Sequence, residues 1–189
     1  MKNKVLGLCL TVLAVFAFAQ SGAAKGIQTT AKQAIIIDFD TGAVLFEKNA
    51  DQRMPTSSMS KVMTMYVVFE AIKNGNLSLE DELLVSEKAW KKQGSKMWVE
   101  VGKKVKVEDL VRGVIVQSGN DATIVLAEGL AGSEDAFAIA LNNAAKELGM
   151  DDSHFMNASG WPDPEHYSTA RDLAVLADAM IRNHSDFYH

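Results

Sequence analysis

Ser58 and Lys61 stand three residues apart in the segment Pro55-Thr56-Ser57-Ser58-Met59-Ser60-Lys61. On a helix, residues i and i+3 share a face, so the Lys61 amine is expected against the Ser58 hydroxyl. A serine hydroxyl is a poor nucleophile until a base takes its proton. A lysine can be that base only when its pKa falls toward neutrality. The residues beyond it, Val62 to Ile72, are apolar at almost every position, the pattern of a helix buried on all sides. Such a helix carries the amine into a desolvated place, which disfavours the ammonium form. The helix N-terminus adds a partial positive charge that favours the anion formed during acyl transfer. Ser57, four residues from Lys61, is also able to face it; Ser60, adjacent to it, is not. Ser-x-x-Lys by itself is a common tetrapeptide, and a structural role is its ordinary meaning.

A second polar element, Ser118-Gly119-Asn120-Asp121-Ala122, falls between two predicted helices. In isolation it reads as a helix-capping turn. Beside Ser58 and Lys61 it gains a chemical meaning. A second hydroxyl can pass a proton between the nucleophile, the lysine and a leaving amine. An asparagine amide can hold both the lysine and a substrate amide carbonyl. Metal and thiol chemistry find no comparable support. Cys9 is the single cysteine, and His154, His166, His184 and His189 lack metal-ligand spacing; they are expected as surface or loop histidines. No cofactor is expected.

The elements that must position these residues can be read from periodicity and punctuation. Ala34–Asp38 and Ala43–Phe46, separated by Asp40-Thr41-Gly42, predict a β-hairpin. The buried helix over 62–72 ends at Gly75. Residues 78–106 are mixed, with helix starts possible at Ser78 (with Asp81) and at Ser86; Trp90 and Trp98 in this stretch could line a groove, and packing in the core or an interface is the expectation. Helices are predicted over about 108–116, from Asn120 to Gly129 or Gly132, and after Ser133 as far as Gly149. The last of these places Phe137, Leu141, Ala144 and Leu148 on one face. A loop over 151–165 leads to a final helix opened by Thr169 with Asp172 and running through Ile181. This content is α/β (α+β). A two-stranded hairpin is not a stable sheet alone, which hints at strands missing from the sequence.

The chain has 189 residues, enough for one domain with a real core, and a net charge of -5 without a basic cluster. Nucleic acid and anionic membrane surfaces are therefore not expected as partners. Lys2 and Lys4, the apolar run Val5–Phe18 and the small residues Ala17 and Ala19 predict a secretory signal peptide over 1–19; the run is short for a spanning helix. Residues 20–33 are expected as a flexible lead-in and 34–189 as a partial catalytic domain.

Ser58-x-x-Lys61 followed by Ser118-x-Asn120 resembles the serine penicillin-recognising enzymes. The likeness extends to Asp40-Thr41-Gly42, Lys61-Val62-Met63-Thr64, Leu148-Gly149-Met150, His154-Phe155-x-Asn157 and Tyr167-Ser168-Thr169-Ala170-Arg171-Asp172. Together these look like the D-alanyl-D-alanine carboxypeptidases, from about residue 33 to the end. The resemblance implies a β-lactamase/DD-peptidase-like fold. It implies Ser58 as the acylated nucleophile, Lys61 as its base, and Ser118 with Asn120 as the second catalytic element. It further implies removal of the terminal D-alanine from peptidoglycan stem peptides, acylation by β-lactam antibiotics, and a periplasmic location. Membrane association would come only through an uncleaved signal or a C-terminal anchor.

The third family motif, Lys-Thr-Gly, does not occur in the sequence. The expectation is thus the N-terminal portion of the catalytic domain, without the later sheet strands, with doubtful activity in this chain. The alternative is an inactive or wall-binding fragment. A β-lactamase fits less well, because Leu141-Asn142 is preceded by Ala138 where a deacylating glutamate would stand.

Overall fold

The computed structural model describes residues 26–188. The predicted signal peptide, most of the lead-in's first half and His189 lie outside the described residues. Residues 1–30 and 31–189 are separate units; of the first, residues 26–30 are irregular and exposed. The second unit holds every helix and strand among the described residues.

The predicted hairpin is present. Strand β1 (Ala34–Ile37) pairs antiparallel with β2 (Val44–Lys48), Ala34 opposite Lys48 and Ile36 opposite Phe46. The Asp38 carboxylate closes the turn by accepting the Thr41 N–H (2.8 Å) and hydroxyl. Gly42 completes it at φ +72°, where a Cβ would be strained.

Beyond a short 3-10 turn at Ser57–Met59 runs α1 (Ser60–Lys73). Met63 and Val68 have no exposed surface and Phe69 very little, as an apolar run with no polar face requires. Helix α3 (Val107–Gln117) leads through Ser118-Gly119 into α4 (Asn120–Ala131), whose first eight residues are all buried. Helix α5 (Glu134–Glu147) packs on both α1 and α4. Of the face predicted for it, Phe137 and Leu141 are fully buried, Ala144 and Leu148 partly, and Ala145 joins the core. The caps behave as the sequence indicates: Ser133 Oγ accepts the Ala136 N–H and Thr169 Oγ1 accepts the Asp172 N–H, each bond contributing about 1 kcal/mol. Thr169 opens α6 (Ala170–Asn183), which packs on α1 and β1, and α7 (Ser185–Tyr188) comes after it.

Three expectations change. First, Ser78 with Asp81 does not start a helix. The Ser78 N–H donates to Asp81 Oδ2 (2.8 Å) and closes a turn, because such local bonds serve turns and helix starts equally well. The chain then enters β3 (Glu82–Leu84), paired antiparallel with β4 (Lys104–Lys106). Strands of three residues are too short to show alternation. Only Ser86 opens a helix, α2 (Glu87–Lys91).

Second, Trp90 and Trp98 are not core residues. They are 44% and 79% exposed and flank a surface depression with Lys96 and Val99. Third, His166 and His184 are buried. An imidazole loses little on burial when its nitrogens find partners and its ring meets apolar faces. His166 meets this condition, bonded at both nitrogens and edge-on to Phe155; His184 is flanked by Tyr66 and Phe69, its Nε2 3.0 Å from Glu70 but outside hydrogen-bond geometry.

Candidate active site

The site begins in a strained turn. Ser57, immediately before the candidate nucleophile, has φ +47°, the left-handed region that costs an L-residue about 1–2 kcal/mol. The turn is held from outside by the 154–168 loop. Gly160 approaches so closely that a Cβ there would lie 1.7 Å from the Ser57 carbonyl oxygen; no side chain fits. Beneath the turn runs a buried polar chain. His166 Nδ1 accepts the Met156 N–H (3.2 Å), so the ring proton sits on Nε2, which donates to Ser60 Oγ (2.7 Å). Ser60 Oγ in turn shares a hydrogen bond with Thr56 Oγ1 (2.6 Å). Burial holds the His166 pKa below its ordinary value, consistent with the neutral tautomer this chain requires. Ser60 thus faces away from the nucleophile, as its adjacency to Lys61 requires.

Ser58 and Lys61 meet as the i, i+3 spacing predicts: Lys61 Nζ is 3.1 Å from Ser58 Oγ. The amine also donates to the Ser159 carbonyl (2.9 Å). Lys61 is 5% exposed, and desolvation lowers its pKa from 10.5 to about 8, with the Lys92 ammonium adding to the effect. The lysine is thereby able to act as a base near neutral pH. Ser118 also reaches the nucleophile, its Oγ donating to Ser58 Oγ at 3.1 Å. It caps α3 in a left-handed conformation, φ +53°, which turns the hydroxyl back toward α1. Ser58 therefore touches the lysine and a second hydroxyl at once, the geometry for moving a proton off the nucleophile and onward.

Asn120 departs from expectation in one respect. Its Nδ2 donates to the Gln93 carbonyl (2.9 Å), and the bonds of Lys61 go to Ser58 and Ser159 instead. Asn120 is thus braced by the segment after α2, and its amide retains a second hydrogen. Next to it, Asp121 is fully buried. Its carboxylate accepts the backbone N–H groups of Met97, Trp98, Val99 and Ala122 (2.9–3.2 Å), which fixes the 97–99 loop against the start of α4.

Sequence reasoning did not assign the Ser159 carbonyl, Gly160, His166, Asp121 or Lys92 to the site. The signal that could have found the first two is the density of Asn, Ser, Gly and Pro between 157 and 164, more than a plain connection needs. Asn142, in α5, clamps the same loop by bonding both the N–H and the carbonyl of Phe155. A cleft of about 410 Å³ opens from Ser58, Lys61 and Ser118 toward Met65, Val114 and Phe187.

The chain and its fold are similar to known proteins. The chain is 36% identical to the D-alanyl-D-alanine carboxypeptidase DacF of Bacillus subtilis over 96% of its own length and 47% of that protein's. It is 38% identical to DacC of Escherichia coli over 95% and 46%. The structure superimposes on the carboxypeptidase DacD of Francisella tularensis with a TM-score of 0.84, 44% identity, and coverage of 86% of this chain and 40% of that one. For penicillin binding protein 5 of Haemophilus influenzae the values are 0.85, 38%, 87% and 49%. The α+β fold expected from the sequence is therefore that of the penicillin-binding DD-carboxypeptidases, and this chain spans about half the length of the curated relatives it matches. The D-alanyl-D-alanine carboxypeptidase family model, peptidase S11, matches residues 19–189; with a paired serine and lysine at the head of a buried helix and a second serine closing on them, the chain belongs to that family.

Proposed function

We propose that the protein is a serine D-alanyl-D-alanine carboxypeptidase acting on peptidoglycan stem peptides through an acyl-enzyme on Ser58. The observation that carries this reading is the buried Lys61 amine 3.1 Å from Ser58 Oγ, with Ser118 Oγ also at 3.1 Å. Family membership and the relatives' names supply the substrate class.

In this mechanism the neutral Lys61 amine takes the Ser58 proton as Oγ bonds to the carbonyl carbon of the penultimate D-alanine. Asn120 donates its remaining amide hydrogen to a substrate carbonyl. The proton passes from Lys61 through Ser118 to the nitrogen of the terminal D-alanine, the C–N bond breaks, and that residue leaves as the free amino acid. Water then attacks the ester, giving a proton to Lys61, which passes it to Ser58 Oγ as the C–O bond breaks, restoring the Ser58 hydroxyl and the neutral amine. β-Lactams, whose ring opens in the same acylation step, are covalent inhibitors by this reading. The site requires no metal or organic cofactor for any of these steps. The residues read as a signal peptide support a periplasmic location for the mature protein, where it would contribute to cell-wall maintenance and cell shape.

The test is covalent labelling by a fluorescent penicillin, with peptide mapping. Label on Ser58, abolished in Ser58→Ala, together with D-alanine release from a stem-peptide mimic, is the expected result. Label on Ser57 or Ser60, or no adduct, refutes the assignment.

A further inference from the structure

Three lysines stand close together on and after α2. Lys91 pairs with Glu87 and Lys88 with Glu134 (2.5 and 2.8 Å). Lys92 has no carboxylate within 4.0 Å among the described residues. At Lys92 the backbone leaves the helix in an extended conformation, ψ 135°, and the ammonium lies 4.3 Å from the centre of the Trp161 ring. The backbone that carries the indole is held: the Trp161 main-chain N–H donates to Asn157 Oδ1, and Asn157 Nδ2 donates back to the Trp161 carbonyl, both at 2.9 Å.

This pair borders the candidate active site. Gln93, the next residue, braces Asn120 through its carbonyl. At Gly94 a Cβ would lie 2.6 Å from Asn120 Nδ2 and 3.3 Å from the Trp161 ring, so the chain after Lys92 runs between the two. Trp161 lies two residues beyond Ser159, whose carbonyl holds Lys61. The Lys92 charge is felt at Lys61. Among the described residues, the charges that bear on Lys92 are Glu134, already paired with Lys88, and Lys88 itself. A cation over an aromatic face keeps its N–H donors for an anion, and the indole limits competition from water on one side.

We propose that Lys92, held over Trp161, is a specificity-determining residue that receives a side-chain carboxylate of the substrate peptide, on the residue preceding the D-alanyl pair. This rests on the carboxypeptidase reading for the peptide class, and on geometry alone for the charge. Two probe peptides isolate that charge: acetyl-Nε-succinyl-lysyl-D-alanyl-D-alanine, which carries the carboxylate, and its Nε-propionyl analogue, which does not. Binding of each to the full chain is measured by titration calorimetry for the parent, Lys92→Gln and Lys92→Arg.

The parent is expected to bind the succinyl peptide about tenfold more tightly, the size of one part-exposed charge-assisted hydrogen bond. The preference should shrink with salt, vanish in Lys92→Gln and survive in Lys92→Arg. Equal binding by the parent, a preference that survives Lys92→Gln, parallel loss for both peptides, or binding of neither overturns the proposal. Penicillin labelling of Ser58 on the same samples separates the two readings. Label without preference leaves the enzyme reading intact and removes this one; preference without label does the reverse.

Discussion

The pH dependence of Ser58 acylation tests the central chemical claim, because it depends on burial of one amine. An ordinary lysine with a pKa of 10.5 is neutral in about three molecules per ten thousand at pH 7. With the pKa lowered to about 8, about one Lys61 in ten is neutral at that pH, a gain of about 300-fold in available base. The lowered pKa sets the direction: base is lost as pH falls. The rate of acylation by a penicillin probe should therefore rise about tenfold between pH 6 and 7, bend near pH 8, and be flat by pH 9. Lys61→Arg should lose acylation by at least about 1000-fold and show no bend below pH 10, because a guanidinium does not deprotonate in this range. The assay is stopped-flow acylation from pH 5.5 to 10, paired with an NMR titration of the Lys61 side chain, which reads the pKa independently of turnover. A flat profile, a midpoint near 10.5, or an active Lys61→Arg would refute the argument that desolvation makes Lys61 the base.

Other consequences are equally measurable. Gly160→Ala puts a methyl group into the Ser57 carbonyl; displacing the turn by about 1 Å should cut Ser58 labelling about 100-fold, while circular dichroism stays near the parent's. Asp121→Ala orphans four backbone N–H groups and should cost about 3 kcal/mol or more in chemical denaturation, with faster amide exchange at Met97, Trp98 and Val99 as the local signature. His166 and His184 both have pKa values lowered by burial. Their folded forms bind fewer protons than the unfolded chain, so the stability they support is present above about pH 6.5 and lost as pH falls below it. Replacing both with glutamine should flatten the acid limb of the stability curve, and an unchanged limb would show that they do not govern it.

Much of this protein was legible in the order of its residues, where the governing interactions are local. The i, i+3 spacing of Ser58 and Lys61, the Ser133 and Thr169 caps, the Asp38–Gly42 turn and the all-apolar face of the 62–72 helix each depend on neighbours a few positions away, so sequence suffices for them. The site's remaining half is non-local. Ser118 reaches Ser58 from sixty positions along the chain, and the resemblance, not the spacing, brought it into the assignment. The Ser159 carbonyl under Lys61, Gly160 against Ser57, and His166 beneath Ser60 come from about a hundred positions away; the density of turn residues over 157–164 marks an unusual loop, but nothing in it says which distant residues the loop closes on. The same reason underlies the errors. Histidine and tryptophan are amphipathic, so only packing decided that His166 and His184 go inside while Trp90 and Trp98 stay out. Residue order alone settled which side chains could do chemistry. Folding was needed to bury Lys61, and burial, by desolvating the ammonium, is what makes its amine a base.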